Sequence, residues 1–175
     1  ALAGPGQVVS LGGEAGVGKS RLVLEFARRC RARGCLVIEA PAVSYGRAAG
    51  YRPGVELHRR YFEVEHDDDA ATAREKVAAK LRAVDPELAD GDGVDAILWV
   101  LGRPEGGGFA LMDPARRHRR VMRTVHRLVA GQARRQPFVL IMEDMQWVDS
   151  ETHAAMDALV EALPPFTVVV ATYRP

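Results

Sequence analysis

Eight consecutive residues, Gly13-Glu14-Ala15-Gly16-Val17-Gly18-Lys19-Ser20, set glycines, a lysine and a hydroxyl at the spacing Gly-x4-Gly-Lys-Ser. That spacing suits the phosphates of a nucleoside triphosphate. Glycines admit positive φ and leave no Cβ in the way, so successive backbone N–H groups can face phosphate oxygens at a helix start. Lys19 can act as a point charge on the β- and γ-phosphates, and Ser20 can give its hydroxyl to Mg²⁺. A chance glycine turn would lack the context present here, an apolar run before the loop and a helical period after it.

A metal-bound triphosphate also needs carboxylates at the end of a neighbouring strand. Residues 138–142 are uninterrupted apolar and are followed by Glu143 and Asp144. Burial of such a strand leaves its acids at the C-terminal edge, where open α/β sheets bind ligands. In the common order Glu143 holds the metal and Asp144 polarises the attacking water; the pair is Glu-Asp rather than Asp-Glu, so the roles can be exchanged. Together these residues predict a site for ATP and Mg²⁺ in which Ser20, Glu143 and Asp144 serve the metal. Lys19, Glu143 and Asp144 serve catalysis. A last apolar run, 167–172, leads into Tyr173-Arg174-Pro175. If that strand inserts between the loop strand and the acidic strand, Arg174 points toward the γ-phosphate and joins the catalytic set; the plain alternative is a surface arginine in a tail.

The elements that position these groups read as α/β. Residues 7–11 form a β-branched run ending in glycines, and from Ser20 the period becomes helical, with Leu22, Val23, Phe26, Ala27 and Cys30 on one stripe and Gly34 as the stop. Residues 35–39 predict a second strand and 41–53 a loop. Helices are expected at 55–62, 69–84 and 94–101, with Asp85-Pro86 as a break. Asp113-Pro114 has the chemistry of an N-cap and first helical position, opening a helix to about Arg134. A strand at 138–142, a helix at 150–163 and the strand at 167–172 complete the chain. This order predicts a mostly parallel sheet covered by helices. The expected fold class is a P-loop NTPase three-layer α/β/α sandwich, which the family resemblance given below implies is truncated after its fourth core strand. The whole of 1–175 then makes a single partial domain with a helical insertion at about 54–112.

Composition sets the outer bounds. The chain has 175 residues, 47% hydrophobic, 27% charged, with a formal net charge of +1. That suits one globular domain and argues against an obligate polyanion binder. No apolar run approaches the roughly 20 residues needed to span a bilayer, so no membrane segment is expected. The start, Ala-Leu-Ala-Gly-Pro-Gly, has neither an initiator Met nor a leader pattern and reads as an excised piece. Two cysteines, Cys30 and Cys35, are too few for a disulfide scaffold, which favours core thiols and a cytoplasmic setting. His66 with Asp67, Asp68 and Asp69 is a poor metal cluster because consecutive acids cannot converge on one ion. Residues 113–135 carry eight Arg against one Asp. Without interleaved aromatics, that face reads as solvated or domain-facing rather than as a nucleic-acid surface.

Gly-Glu-Ala-Gly-Val-Gly-Lys-Ser-Arg with Leu22, then residues 141–149 (Ile-Met-Glu-Asp-Met-Gln-Trp-Val-Asp), then Ala171-Thr172-Tyr173-Arg174-Pro175, resemble the origin-recognition-like AAA ATPase domain of bacterial STAND-type regulators. That domain occurs in LuxR-type activators and in proteins joining a class III cyclase to tetratricopeptide repeats. The stretches Ser44-Tyr45-Gly46, Tyr51-Arg52-Pro53 and Arg59-Arg60-Tyr61-Phe62 are more similar to the cyclase-linked kind. The chain departs in having Gln146 where the family usually has His, and in lacking the N-terminal Gly-Arg-x-x-Glu segment and a fifth strand. The resemblance implies strand order 5-1-4-3-2, so the loop-bearing strand becomes an edge prone to self-association. It also implies a bacterial, cytoplasmic regulatory ATPase switch that binds ATP or ADP beside cyclase, repeat or helix-turn-helix domains. The alternative is a nucleotide-holding signalling module without significant turnover. A small GTPase is disfavoured by the missing guanine-reading Asn/Thr-Lys-x-Asp segment, and a P-loop kinase by the lack of an Arg-rich lid after the acids. Trp147 is expected to pack under the nucleotide site, and Asp149 or Ser150 to cap the next helix.

Overall fold

Four apolar segments form the sheet: β1 (Gln7–Gly12), β2 (Leu36–Ala40), β3 (Phe138–Met142) and β4 (Thr167–Tyr173). The structure is a computed structural model and describes residues 4–40, 53–148 and 150–174. All pairings are parallel, in the order β1-β4-β3-β2. Insertion of β4 between the loop strand and the acidic strand is therefore observed. The expected loop from Pro41 through Arg52, and any cap supplied by Asp149, lie outside the described residues.

Seven helices accompany the sheet among the described residues: α1 (Lys19–Ala32), α2 (Pro53–Phe62), α3 (Ala70–Val84), α4 (Pro86–Asp90), α5 (Gly93–Val100), α6 (Pro114–Arg135) and α7 (Ser150–Glu161). The crossover β1-α1-β2 runs across the sheet in one direction and β3-α7-β4 in the other. Right-handed crossovers of opposite direction put their helices on opposite faces, which makes a three-layer α/β/α fold.

The chain divides into two compact units, one of residues 1–53 with 132–175 and one of residues 54–131. In the first, Val23, Ala27 and Cys30 of α1 pack with Val37, Val139, Ile141, Val168 and Val170 of the sheet. Each fully buried Val or Ile side chain there contributes about 1.5–3 kcal/mol. The expected stripe on α1 is narrower than its sequence pattern, because Leu22 and Phe26 are 60% and 36% exposed. Among the described residues, the buried apolar contact of α1 with the strands runs through Val23, Ala27 and Cys30. β1 is an edge strand, and its Val8 and Val9 are also substantially exposed.

In the second unit, Val77 and Leu81 of α3, Leu88 of α4 and Ile97 and Leu98 of α5 are buried. Asp69 caps α3, its side chain accepting from Thr72 N–H at 2.7 Å. The break at Asp85-Pro86 proves to be also a start: proline at the first helical position opens α4, a helix absent from the sequence reading. Asp113 behaves as anticipated, accepting from the Arg116 N–H at 3.0 Å at the head of α6.

Candidate functional site

β1 ends at Gly12, opposite Tyr173 of β4, and α1 begins seven residues later at Lys19. The intervening turn relies on glycine where its backbone demands it: Gly16 has φ 81° and Gly18, the N-cap of α1, has φ 97°. An L-residue with a Cβ rarely adopts those angles. The Leu22 N–H donates to Gly18 O at 3.0 Å, which closes the first turn of the helix. No acidic side chain occupies that first turn, so the positive end of the helix dipole is uncompensated. Lys19 Nζ donates to Gly13 O at 2.5 Å and Glu14 O at 2.9 Å, tying the loop's entry to its exit. Glu14, Ala15, Gly16, Val17, Gly18 and Ser20 are exposed, so the loop faces solvent along most of its length.

β3 is buried throughout and delivers the two acids at its end. Among the described residues the Glu143 carboxylate makes no hydrogen bond or ion pair. Asp144 is held from several sides. Its backbone is left-handed (φ 54°, ψ 52°) and opens a 3-10 turn, Met145–Trp147. Its N–H donates to Thr172 Oγ1 at 3.0 Å, and its Oδ1 accepts from Gln146 Nε2 at 3.2 Å. Arg174 Nε stands 3.9 Å from the same Oδ1, and the Arg174 N–H donates to Gln146 Oε1 at 3.2 Å. Register explains the meeting: Met142 pairs with Ala171 and Gly12 with Tyr173, so the glycine loop, Arg174 and the acids leave three neighbouring strands at one sheet edge.

The structure therefore brings Asp144 and Arg174 together at the sheet edge from which the loop of Gly13 to Ser20 departs. It also adds residues that sequence reasoning missed. Thr172 is a buried hydroxyl at the end of an apolar strand, a detectable oddity, whereas Gln146 registered only as a departure from a family pattern. Tyr173 packs over Gly12: a Cβ there would fall 2.8 Å from the ring's Cζ and Oη. Trp147 is a correction. It was expected beneath the nucleotide site but is 65% exposed, because the left-handed turn at Asp144 carries the following residues outward.

The other candidates take structural roles. Asp68 accepts from Lys76 Nζ at 2.7 Å and from the Glu65 N–H, while Arg103 donates to the carbonyls of Glu65 and His66. No group of three or more His, Cys, Asp or Glu among the described residues is arranged to hold a metal ion. Several arginines of α6 are internally engaged. Arg117 stacks 3.9 Å over the Trp99 ring, Arg120 pairs with Asp92, and Arg127 forks onto Asp85 at 2.9 and 2.8 Å. Cys30 and Cys35 are free and buried; burial, then the neighbouring Cys35 thiol, pushes the Cys30 thiol upward.

A model of the AAA ATPase domain family matches residues 1–170. The chain belongs to that family. The AAA ATPase domain match covers the glycine loop, both acids and most of β4, and ends before Tyr173 and Arg174. The chain is also 29% identical over 178 residues to an uncharacterized protein of Rhizobium meliloti (strain 1021). The alignment takes in 99% of this AAA ATPase domain chain but 17% of that relative's length. No helix among the described residues is long and apolar enough to cross a membrane.

Proposed function

We propose that the chain binds Mg-ATP at Gly13 to Ser20 and hydrolyses it slowly, as the regulatory module of a larger bacterial signalling protein. The observation that carries this reading is the loop itself: two glycines at positive φ and a lysine bridging the loop's carbonyls, at an uncompensated helix start. Backbone N–H groups of the loop would hold the phosphates, with Lys19 on the β- and γ-phosphates. Mg²⁺ prefers oxygen donors, and the exposed Ser20 hydroxyl and the Glu143 carboxylate, unpaired among the described residues, provide them. When bound, the ion neutralises charge on the phosphate oxygens. Asp144, fixed by its neighbours, suits orientation of water, and Arg174 beside it suits the charge developing on the γ-phosphate.

Two observations support the wider assignment: the family match and the much longer relative. Cyclase, repeat or helix-turn-helix partner domains rest on the sequence resemblance. The test is phosphate release from Mg-ATP. Multiple releases per chain, depressed in Glu143→Gln and Asp144→Asn with ATP affinity kept, support hydrolysis. The ion pair of Asp144 with Arg174 favours a second reading, a module that retains nucleotide without turnover. A single stoichiometric release, unchanged in Asp144→Asn, would establish it.

A further inference from the structure

We infer that Gln146 is a positioning residue, which sets the Asp144 carboxylate and the Arg174 backbone in one fixed relation so that both address the γ-phosphate. This rests on the proposed role of the glycine loop and of Asp144. Both ends of the Gln146 carboxamide are used, and in only one sense: Nε2 donates to Asp144 Oδ1 and Oε1 accepts from the Arg174 N–H, each at 3.2 Å. Turned over, the amide would set oxygen against carboxylate and NH₂ against N–H, so the polarity of its neighbours fixes its orientation. The link joins the end of β3 to the end of β4, the two strands from which the acid and the arginine emerge.

The surroundings of Asp144 reinforce the same point. Thr172 accepts from the Asp144 N–H, the Asp144 backbone is left-handed, and Arg174 Nε lies near the same Oδ1 that accepts from Gln146. Asp144 and Arg174 are otherwise joined by a single ion pair 3.9 Å long, with the arginine side chain 47% exposed. Such a pair fixes geometry weakly. The carboxamide, donating to one partner and accepting from the other, supplies the directionality that the ion pair lacks. Gln146 itself is exposed and contributes no core packing, so its replacement leaves the fold intact.

The experiment compares Gln146→Leu and Gln146→His with wild type in the full chain, measuring Mg-ATP affinity and single-turnover phosphate release. Gln146→Leu should bind Mg-ATP within about twofold of wild type and release phosphate roughly 10- to 100-fold more slowly, the scale of a misplaced catalytic group. Neutral imidazole has one donor and one acceptor nitrogen and can replace the carboxamide; imidazolium has two donors and cannot. Gln146→His should therefore recover much of the rate near pH 8. Equal rates in Gln146→Leu and wild type, or a Gln146→His chain no faster than Gln146→Leu, would overturn the inference. A wild type that binds Mg-ATP but releases no phosphate would overturn the role of Asp144 and the inference with it, leaving the loop assignment standing; failure to bind Mg-ATP at all would refute that assignment.

Discussion

Gly18→Ala isolates the backbone contribution to the phosphate site. Gly18 sits at φ 97° and ψ 14° as the N-cap of α1, and a Cβ built there meets nothing within 4 Å. The added methyl collides with no neighbour, so its cost is purely conformational. Left-handed backbone costs an L-residue roughly 1–2 kcal/mol. Two outcomes share that energy. If the loop keeps its shape, the strain appears as a melting temperature about 2–8 °C lower, taking roughly 2–4 °C per kcal/mol for a chain of this size. If the loop relaxes to negative φ, stability is spared and Mg-ATP affinity falls about 5- to 30-fold. Gly106→Ala is the internal control: it too has open space for a Cβ, and its φ lies outside the range that disfavours side chains. It should be neutral or slightly stabilising. Calorimetric titration with Mg-ATP and thermal melts of both variants make the comparison. If Gly18→Ala matches wild type in affinity and melting temperature alike, the loop does not need its left-handed residue and the reasoning fails.

Two predictions concern the helical unit and its charges. Arg127→Ala removes the fork onto Asp85 and the bond to Glu87, and because the guanidinium is 40% exposed it should cost only about 0.5–1 kcal/mol, lowering the melting temperature by about 1–4 °C; a loss of nucleotide affinity instead would contradict its structural role. Acid should also destabilise the chain. Hydrogen bonds hold several carboxyls below their ordinary range: the Lys80 bond for Glu63, the Lys76 bond and the Glu65 N–H for Asp68, and the Thr72 N–H for Asp69. Burial opposes ionisation of Glu56 but is outweighed by its bonds from Arg59 and Arg60. A depressed carboxyl stabilises the fold above its unfolded value and loses that contribution as pH falls through the folded one. Melting temperature should therefore hold between about pH 7 and 5 and drop below the ordinary values of 4.5 for Glu and 3.8 for Asp. A curve still flat at about pH 3 would contradict these bonds.

The phosphate loop was legible in the sequence because its geometry is written in residue type: positive φ at two positions requires glycine, and Gly16 and Gly18 supply it. The sheet order was legible only through the family resemblance, which implied the order 1-4-3-2 that the four strands adopt. The cap at Asp113 followed from its side-chain chemistry alone. What escaped depends on register or orientation. α4 was hidden because a proline after aspartate both stops one helix and starts another. The width of the buried stripe on α1 is set by the sheet it meets, and local periodicity does not contain it. Gln146 touches Asp144 two residues before it and Arg174 twenty-eight residues after it. Only the pairing of β3 with β4 brings that second partner within reach.

The central claim is that a triphosphate binds at the head of α1, and titration of wild type and Lys19→Ala with Mg-ATP tests it most directly. Lys19 donates to two carbonyls of an exposed loop, which water can satisfy in its absence, so the variant should remain folded. A hydrogen bond to a charged group contributes about 1.5–3 kcal/mol, so loss of the ammonium from the β- and γ-phosphates should weaken binding at least ~10- to 100-fold, to the point of no measurable saturation. A folded Lys19→Ala chain that binds Mg-ATP as tightly as wild type would contradict the account.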